Sequence, residues 1–111
     1  GAEIAFDVDE GVRVGGEVRE ALVRIVREAV ANAARHGQAG VITVDLKVVR
    51  DGLHLKVTDD GRGFAVDAPV GSGRVGLRSM RERAAAVGAT LSVDSIPGRG
   101  TCVEVALSSL K

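Results

Sequence analysis

The sequence is short of aromatic residues and cysteine, and each shortage argues against a class of function. Two Phe and no Trp or Tyr among 111 residues argue against base-stacking platforms for single-stranded nucleic acid. One Cys excludes an intramolecular disulfide framework and any multi-cysteine zinc site. Fifteen Lys and Arg balance fifteen Asp and Glu, so the chain has no basic excess to attract nucleic acid or an anionic membrane. No apolar run approaches the ~18 residues that a membrane span requires.

What is present is the patterning of one small globular domain over residues 1–111. Alternating or β-branched runs predict five strands, and helical spacing of apolar residues predicts two helices. The order β-α-β-β-α-β-β, with a hairpin after each helix, predicts an α/β (α+β) two-layer sandwich. Its sheet is expected to be mixed and mostly antiparallel, with both helices on one face. The predicted strands are 2–8, 41–50, 53–59, 90–95 and 101–107, and the predicted helices are 15–35 and 77–87.

The first predicted helix carries two polar residues in an unusual position. Asn32 falls inside its apolar stripe, and Glu28, one turn earlier, falls at the edge of that stripe. A carboxylate beside an amide oxygen suits water activation or a hard cation such as Mg²⁺. Alternatively, both residues lie at a wet edge of the core and make local hydrogen bonds, which the helix pattern alone favours.

Two glycine-containing segments come next in the chain. The segment 59–63 (DDGRG) follows a strand, where a carboxylate could accept a hydrogen bond from an exocyclic amine, although an ordinary turn is equally consistent. The segment 71–76 (GSGRVG) opens the second helix, where free N–H groups favour phosphate. It matches G-x-G-x-x-G, but no predicted strand directly precedes it, so a dinucleotide fold is disfavoured. His54 is expected to be solvated, and Cys102 to be a small core residue.

In this order the segments resemble the N, G1 and G2 boxes of the Bergerat ATP-binding fold, which gyrase, Hsp90, histidine kinases and mismatch-repair ATPases share. The stretches 27–36 and 76–84 look like the catalytic and ATP-binding domain of bacterial sensor histidine kinases of the NarL/LuxR-partner class. The resemblance covers essentially the whole chain. The matching residues are Glu28-x-x-x-Asn32, Asp59-x-Gly61-x-Gly63, Gly71-x-Gly73-x-x-Gly76 and the closing pair Gly100-Thr101.

The resemblance also implies a role for individual residues. Glu28 would act as a base or polariser, and Asn32 would chelate Mg²⁺ through its amide oxygen. Asp59 would bind the adenine amine and Thr101 would support the adenine, while Asp60 is the variable position of its box. The other ATP-binding residues implied are Arg35 and His36 at the phosphates, and Gly61, Gly63, Gly71, Gly73, Gly76 and Leu77 in the two glycine boxes.

The function implied is that of an ATP-dependent protein-histidine kinase with ATP and Mg²⁺ as ligands. The γ-phosphate would pass to a histidine on a separate dimerisation domain, making the full protein a homodimer, and then to an aspartate of a response regulator. The domain alone is expected to bind ATP without autophosphorylating. It is also expected to be cytoplasmic and to contact neither nucleic acid nor membrane, whether or not the parent is anchored in the inner membrane. The alternatives are an anti-sigma-factor-type protein-serine kinase of the same fold and a degenerate, nucleotide-independent interaction module.

Overall fold

The computed structural model of the chain describes residues 3–9, 13–35, 40–50, 52–61, 74–96 and 98–108. The helices and strands within these ranges follow the predicted order. They are β1 (Glu3–Val8), α1 (Gly16–Arg35), β2 (Val41–Val49), β3 (Gly52–Asp59), α2 (Arg74–Ala86), β4 (Thr90–Ile96) and β5 (Gly100–Leu107).

All of these strands belong to one sheet with the order β1-β2-β3-β5-β4. β1 lies parallel to β2, because α1 carries the chain back between them, and the other three pairs are antiparallel. The prediction of a mixed, mostly antiparallel sheet is therefore confirmed. The order brings the end of β3 beside the start of β5, where Asp59 lies opposite Thr101.

Both helices cover the same face of the sheet, as the pattern predicts. Helix α1 buries Leu22, Ile25 and Ala29, spaced three and four residues apart, and Ile25 is fully buried. The inward side chains of the central strands alternate with outward ones and complete a single core. Its buried members from the sheet are Ile42, Val44, Leu53, Leu55, Val57, Val103, Val105 and Leu107.

Helix α2 begins earlier than its sequence pattern predicts. The structure starts it at Arg74 instead of Leu77, so Gly76 lies within its first turn. Glycine costs about 1 kcal/mol relative to alanine inside a helix, which is why the pattern delays the start. Leu77 and Met80 are buried against the core and fix the helix on the sheet.

The prediction for Cys102 was wrong. Cys102 lies opposite Thr58 and Asp94, on the sheet face turned away from the helices, because Val103 and Val105 take the inward positions of β5. His54 shares that open face, as predicted, and its Nε2 lies 3.3 Å from Glu104.

Among the described residues, no helix is long and apolar enough to cross a membrane.

Candidate nucleotide-binding site

The carboxylate of Asp59 belongs to the last residue of β3. Its strand register places it on the helix-facing side, in line with Leu55 and Val57. The backbone N–H of Gly61 donates to Asp59 Oδ1 at 2.8 Å. Burial raises the pKa of this carboxyl above its ordinary value, while hydrogen bonds from the backbones of Gly61 and Thr101 oppose the shift. Asp59 is therefore a half-buried, backbone-oriented acceptor.

Gly100 packs directly against the backbone of Asp59. It has a φ of +91°, and a Cβ placed on it would lie 2.2 Å from the carbonyl oxygen of Asp59. Only glycine avoids both the left-handed strain and this clash. The closing Gly-Thr pair of the sequence thus brings Thr101 alongside Asp59. A cavity of about 170 Å³ at this end of the strands is also lined by Thr58, Asp94 and Cys102, so it opens on the sheet face turned away from the helices.

Asp60 has a structural role that sequence reasoning missed. Its Oδ1 accepts hydrogen bonds from the backbone N–H groups of Gly40 at 2.8 Å and Val41 at 2.9 Å. Its own N–H donates to the carbonyl of Val41 at 3.3 Å. The hydrogen bonds from Val41 and Gly40 lower the pKa of the Asp60 carboxyl. Asp60 thereby joins the segment that follows β3 to the start of β2. No local pattern of the sequence indicates this contact.

Ser95 is a second residue missed by sequence reasoning. It lies opposite Thr101 in the β4–β5 register and is the one buried polar residue in the part of the chain that the structure describes. Its Oγ lies 2.8 Å from Thr101 Oγ1 and 3.3 Å from the carbonyl oxygen of Gly100. The one signal in the sequence was the position of Ser95 on the inward side of β4, because a buried serine needs a polar partner.

Glu28 and Asn32 are the two polar residues of α1 that the sequence pattern singles out. Both are half-buried, although the helix pattern places Asn32 inside the apolar stripe and only Glu28 at its edge. Within the described part of the chain, neither side chain takes part in a hydrogen bond or an ion pair. Glu28 lines a groove of about 810 Å³ between α1 and α2, together with Arg27, Ser79 and Arg83. The structure therefore brings together Asp59, Gly61 and Thr101 but leaves Glu28 on a separate, larger groove.

The remaining site predictions fall partly outside the described residues. His36, Gly63, Gly71 and Gly73 lie outside them, and Arg35 is described only as the last residue of α1. Leu77 is 5% exposed and packs in the core, so in this structure it supports α2. Gly76 lies one residue before it in the helix.

The residues present fit ATP and a hydrated Mg²⁺ ion. An oriented carboxylate acceptor suits an adenine amine, and a half-buried amide and carboxylate one helical turn apart offer the oxygen ligands that Mg²⁺ prefers. Within the described ranges, no group of three or more His, Cys, Asp or Glu could hold a metal ion.

Comparison with protein families gives a match over most of the chain. The model of the family described as "Histidine kinase-, DNA gyrase B-, and HSP90-like ATPase" matches residues 17–110, from α1 through β5.

Two curated relatives are similar to this chain. It is 40% identical over 103 residues to sensor histidine kinase LiaS of Bacillus subtilis, a match that covers 93% of this chain and 28% of LiaS. It is 41% identical over 88 residues to sensor protein VraS of Staphylococcus aureus (strain COL), covering 79% of this chain and 25% of VraS. The chain therefore spans about a quarter of the length of these relatives.

A solved structure is also similar. The histidine kinase domain of the blue-light activated histidine kinase from Erythrobacter litoralis superposes with a TM-score of 0.80 at 28% identity. The match covers 96% of this chain and 51% of that one. The two-layer α+β fold with a five-stranded mixed sheet is the fold of these kinase domains.

Proposed function

The chain belongs to the family of histidine kinase-, DNA gyrase B- and HSP90-like ATPases, and on that premise we propose that it is the ATP-binding catalytic domain of a sensor histidine kinase. Its relatives named LiaS and VraS are sensor proteins, which favours a histidine kinase over a serine kinase of the anti-sigma-factor type. We also propose that the parent kinase is of the NarL/LuxR-partner class.

The observation that carries the proposal is the oriented carboxylate of Asp59. Backbone hydrogen bonds from Gly61 and Thr101 orient it, and its remaining lone pairs are available to a ligand donor. The adenine amine is such a donor. A charged, half-buried acceptor of this kind contributes about 1.5–3 kcal/mol, equivalent to roughly tenfold to a hundredfold in affinity.

The two polar residues of α1 would act at the phosphate end of the nucleotide. Asn32 would hold Mg²⁺ through its amide oxygen, and the ion would supply charge neutralisation for phosphoryl transfer. Arg35 and His36 would contact phosphate. Gly63, Gly71, Gly73 and Gly76 would frame the segment that covers the phosphates.

Glu28 would serve the transfer step. A histidine nitrogen attacks the γ-phosphorus, the bond to the β-phosphate oxygen breaks, ADP leaves, and the imidazole N–H proton must go to a base. Glu28 lines an open groove, so a side chain from a second domain could reach it there. Replacing Glu28 with Gln in a full-length protein that carries the acceptor histidine tests this role, because unchanged autophosphorylation would remove it.

The partners follow from the same proposal. The acceptor histidine would lie on a dimerisation domain of the full homodimeric protein, and the phosphate would then pass to an aspartate of a response regulator. This domain would work in the cytoplasm, where ATP is supplied, and would contact neither nucleic acid nor membrane. By itself it would bind ATP without autophosphorylating, so phosphohistidine formed on residues 1–111 alone would contradict the domain assignment.

Calorimetric titration of Mg²⁺-ADP into the chain tests nucleotide binding directly. We expect binding in the wild type, a loss of about tenfold or more in Asp59→Asn, and no binding of GDP. Asp45→Asn is the matched control, because Asp45 lies on the open face of the sheet opposite Lys56. Absence of ADP binding in the wild type would favour the alternative of a degenerate, nucleotide-independent module.

A further inference from the structure

The segment 59–61 at the end of β3 is held between two other strands. On one side its first peptide, from Asp59 to Asp60, lies against Gly100 of β5. A Cβ placed on that glycine would clash with the Asp59 carbonyl oxygen and lie 3.3 Å from the Asp60 Cα. On the other side Asp60 contacts the start of β2, since β3 lies between β2 and β5 in the sheet. The backbone of β5 therefore limits movement in one direction, and Asp60 limits it in the other.

Asp60 makes three hydrogen bonds with two consecutive residues. Its Oδ1 accepts from the backbone N–H groups of Gly40 at 2.8 Å and Val41 at 2.9 Å, and its own N–H donates to the carbonyl of Val41 at 3.3 Å. The anchor is itself fixed, because the carbonyl of Gly40 accepts from the N–H of Glu3 in β1 at 2.9 Å. The Asp60 side chain therefore ties the end of β3 to the place where β1 and β2 begin.

The orientation of the Asp59 carboxylate depends on the same segment. The N–H of Gly61 donates to Asp59 Oδ1 at 2.8 Å. That N–H belongs to the peptide that directly follows Asp60, so its direction depends on where Asp60 is held. Freeing Asp60 from β2 would allow this peptide to rotate, and the Asp59 carboxylate would lose a donor that orients it.

We propose that Asp60 is a positioning residue for nucleotide binding: by fastening the segment 59–61 to β2, it fixes the direction in which Asp59 presents its carboxylate to the base. This inference rests on the proposed nucleotide-binding function and adds to it a residue that acts through Asp59. Asp60 is exposed, so water can satisfy the N–H groups that its removal leaves free. Water cannot join the segment to β2, however, so the orientation of Asp59 is lost even where the domain stays folded.

The test is calorimetric titration of Mg²⁺-ADP into the wild-type chain, Asp60→Ala and Asp60→Asn, well below the thermal midpoint of each. Burial and, after it, the charge of Asp60 raise the pKa of Asp59. Both substitutions remove that charge, so it cannot account for a difference between them, and only Asn keeps an oxygen that can accept from Gly40 and Val41. We expect Asp60→Ala to bind ADP about threefold to tenfold more weakly than the wild type, and Asp60→Asn to bind it nearly as well.

Asp9→Ala is the matched control, because Asp9 makes the same kind of contact near the other end of β2. Its Oδ2 accepts from the N–H of Val48 at 2.8 Å, and its own N–H donates to the carbonyl of Leu46 at 2.9 Å. Its Oδ1 also lies 3.6 Å from Lys47 Nζ, in an exposed ion pair of little energetic weight. Asp9→Ala should therefore lower the thermal midpoint, as Asp60→Ala does, but leave the affinity for ADP at its wild-type value.

A double-mutant cycle separates positioning from a merely structural role. Adding Asp60→Ala to Asp59→Ala, which has no carboxylate to position, should lower the affinity for ADP no further. Circular dichroism verifies that each variant is folded. Should Asp60→Ala not fold, Asp60→Glu takes its place, because the longer side chain keeps the charge but moves the oxygens away from the two N–H groups.

Three outcomes overturn the inference. They are a wild-type affinity for ADP in the folded Asp60 variant, an equal loss in Asp60→Asn or in Asp9→Ala, and a further loss when Asp60→Ala is added to Asp59→Ala. A wild-type chain that binds no ADP overturns the proposed function instead.

Discussion

The carboxylate of Asp60 lies 2.9 Å from the backbone nitrogen of Val41, nineteen residues earlier in the chain. The neighbouring residue, Asp59, faces the candidate ligand subsite, so two consecutive aspartates have different tasks. Asp60 joins the segment 59–61 to β2, whereas Asp59 is the residue that we propose offers its carboxylate to the nucleotide. Because β2 begins just after the segment 36–39, this contact also sets where the chain re-enters the sheet after α1.

Replacing Asp60 with Ala should lower the thermal midpoint of unfolding, whereas Asp60→Asn should retain most of it. The amide oxygen of Asn can still accept from the N–H groups of Gly40 and Val41, while Ala cannot. Since these bonds lower the pKa of Asp60, their stabilisation is present above its unfolded pKa and is lost as pH falls through its lower folded pKa. Thermal melts at neutral and acidic pH check both points, and equal midpoints for Ala and Asn would contradict them.

Replacing Gly100 with Ala should destabilise the domain and weaken ADP binding together. The added Cβ would clash with the Asp59 carbonyl and displace the carboxylate that we propose binds the base. Gly98→Ala is the matched control, because Gly98 has a φ of +85° but open space around its Cβ position. We expect a cost of about 1 kcal/mol for Gly98→Ala, from strain alone, and more than this for Gly100→Ala. Denaturant unfolding and calorimetry measure the two effects, and equal costs would argue against the close approach.

Local periodicity was enough to predict the fold, but not every contact of the site. Burial against the core determines the alternation of apolar and polar residues in β3 and the apolar stripe of α1. Both patterns can therefore be read directly from the order of residues in the sequence. The start of α2 was misplaced because tertiary packing of Leu77 and Met80 overrides the low helix propensity of Gly76. Cys102 was misplaced because a small residue fits either face of a strand and so does not report its register.

The candidate site was predictable only where its residues are close in sequence or belong to a resembling motif. Asp59 and Gly61, which share a hydrogen bond, are only two residues apart in the sequence, so a short motif can include both. The Asp60–Val41 and Ser95–Thr101 contacts join different strands, and depend on the order β2-β3-β5-β4. That order is a property of the assembled sheet, so neither contact could be assigned before the topology was known.

Replacing Asp59 with Asn should stabilise the ligand-free domain near neutral pH even though it weakens ADP binding. Burial raises the pKa of Asp59, so the ionised carboxylate opposes folding. The protonated Asp59 carboxyl contributes stability that is fully present below its unfolded pKa and is lost as pH rises through its raised folded pKa. The advantage of Asn in thermal midpoint should therefore shrink as pH is lowered. A midpoint below that of the wild type at about pH 7 would contradict this trade-off.

Replacing Asn32 with Ala should make nucleotide binding insensitive to Mg²⁺. If Asn32 holds the ion, wild-type affinity for ADP should fall when EDTA removes Mg²⁺, whereas the variant should bind ADP with equal, weaker affinity in both conditions. We expect a difference of about tenfold between wild type and variant when Mg²⁺ is present. Glu28→Gln is the control variant, one turn away on α1. It keeps a side-chain oxygen at that position and removes only the negative charge that a general base requires. That variant should therefore keep its Mg²⁺ dependence. Calorimetry with and without EDTA measures both variants, and an Asn32→Ala chain that still loses affinity on adding EDTA would show that the ion is held elsewhere.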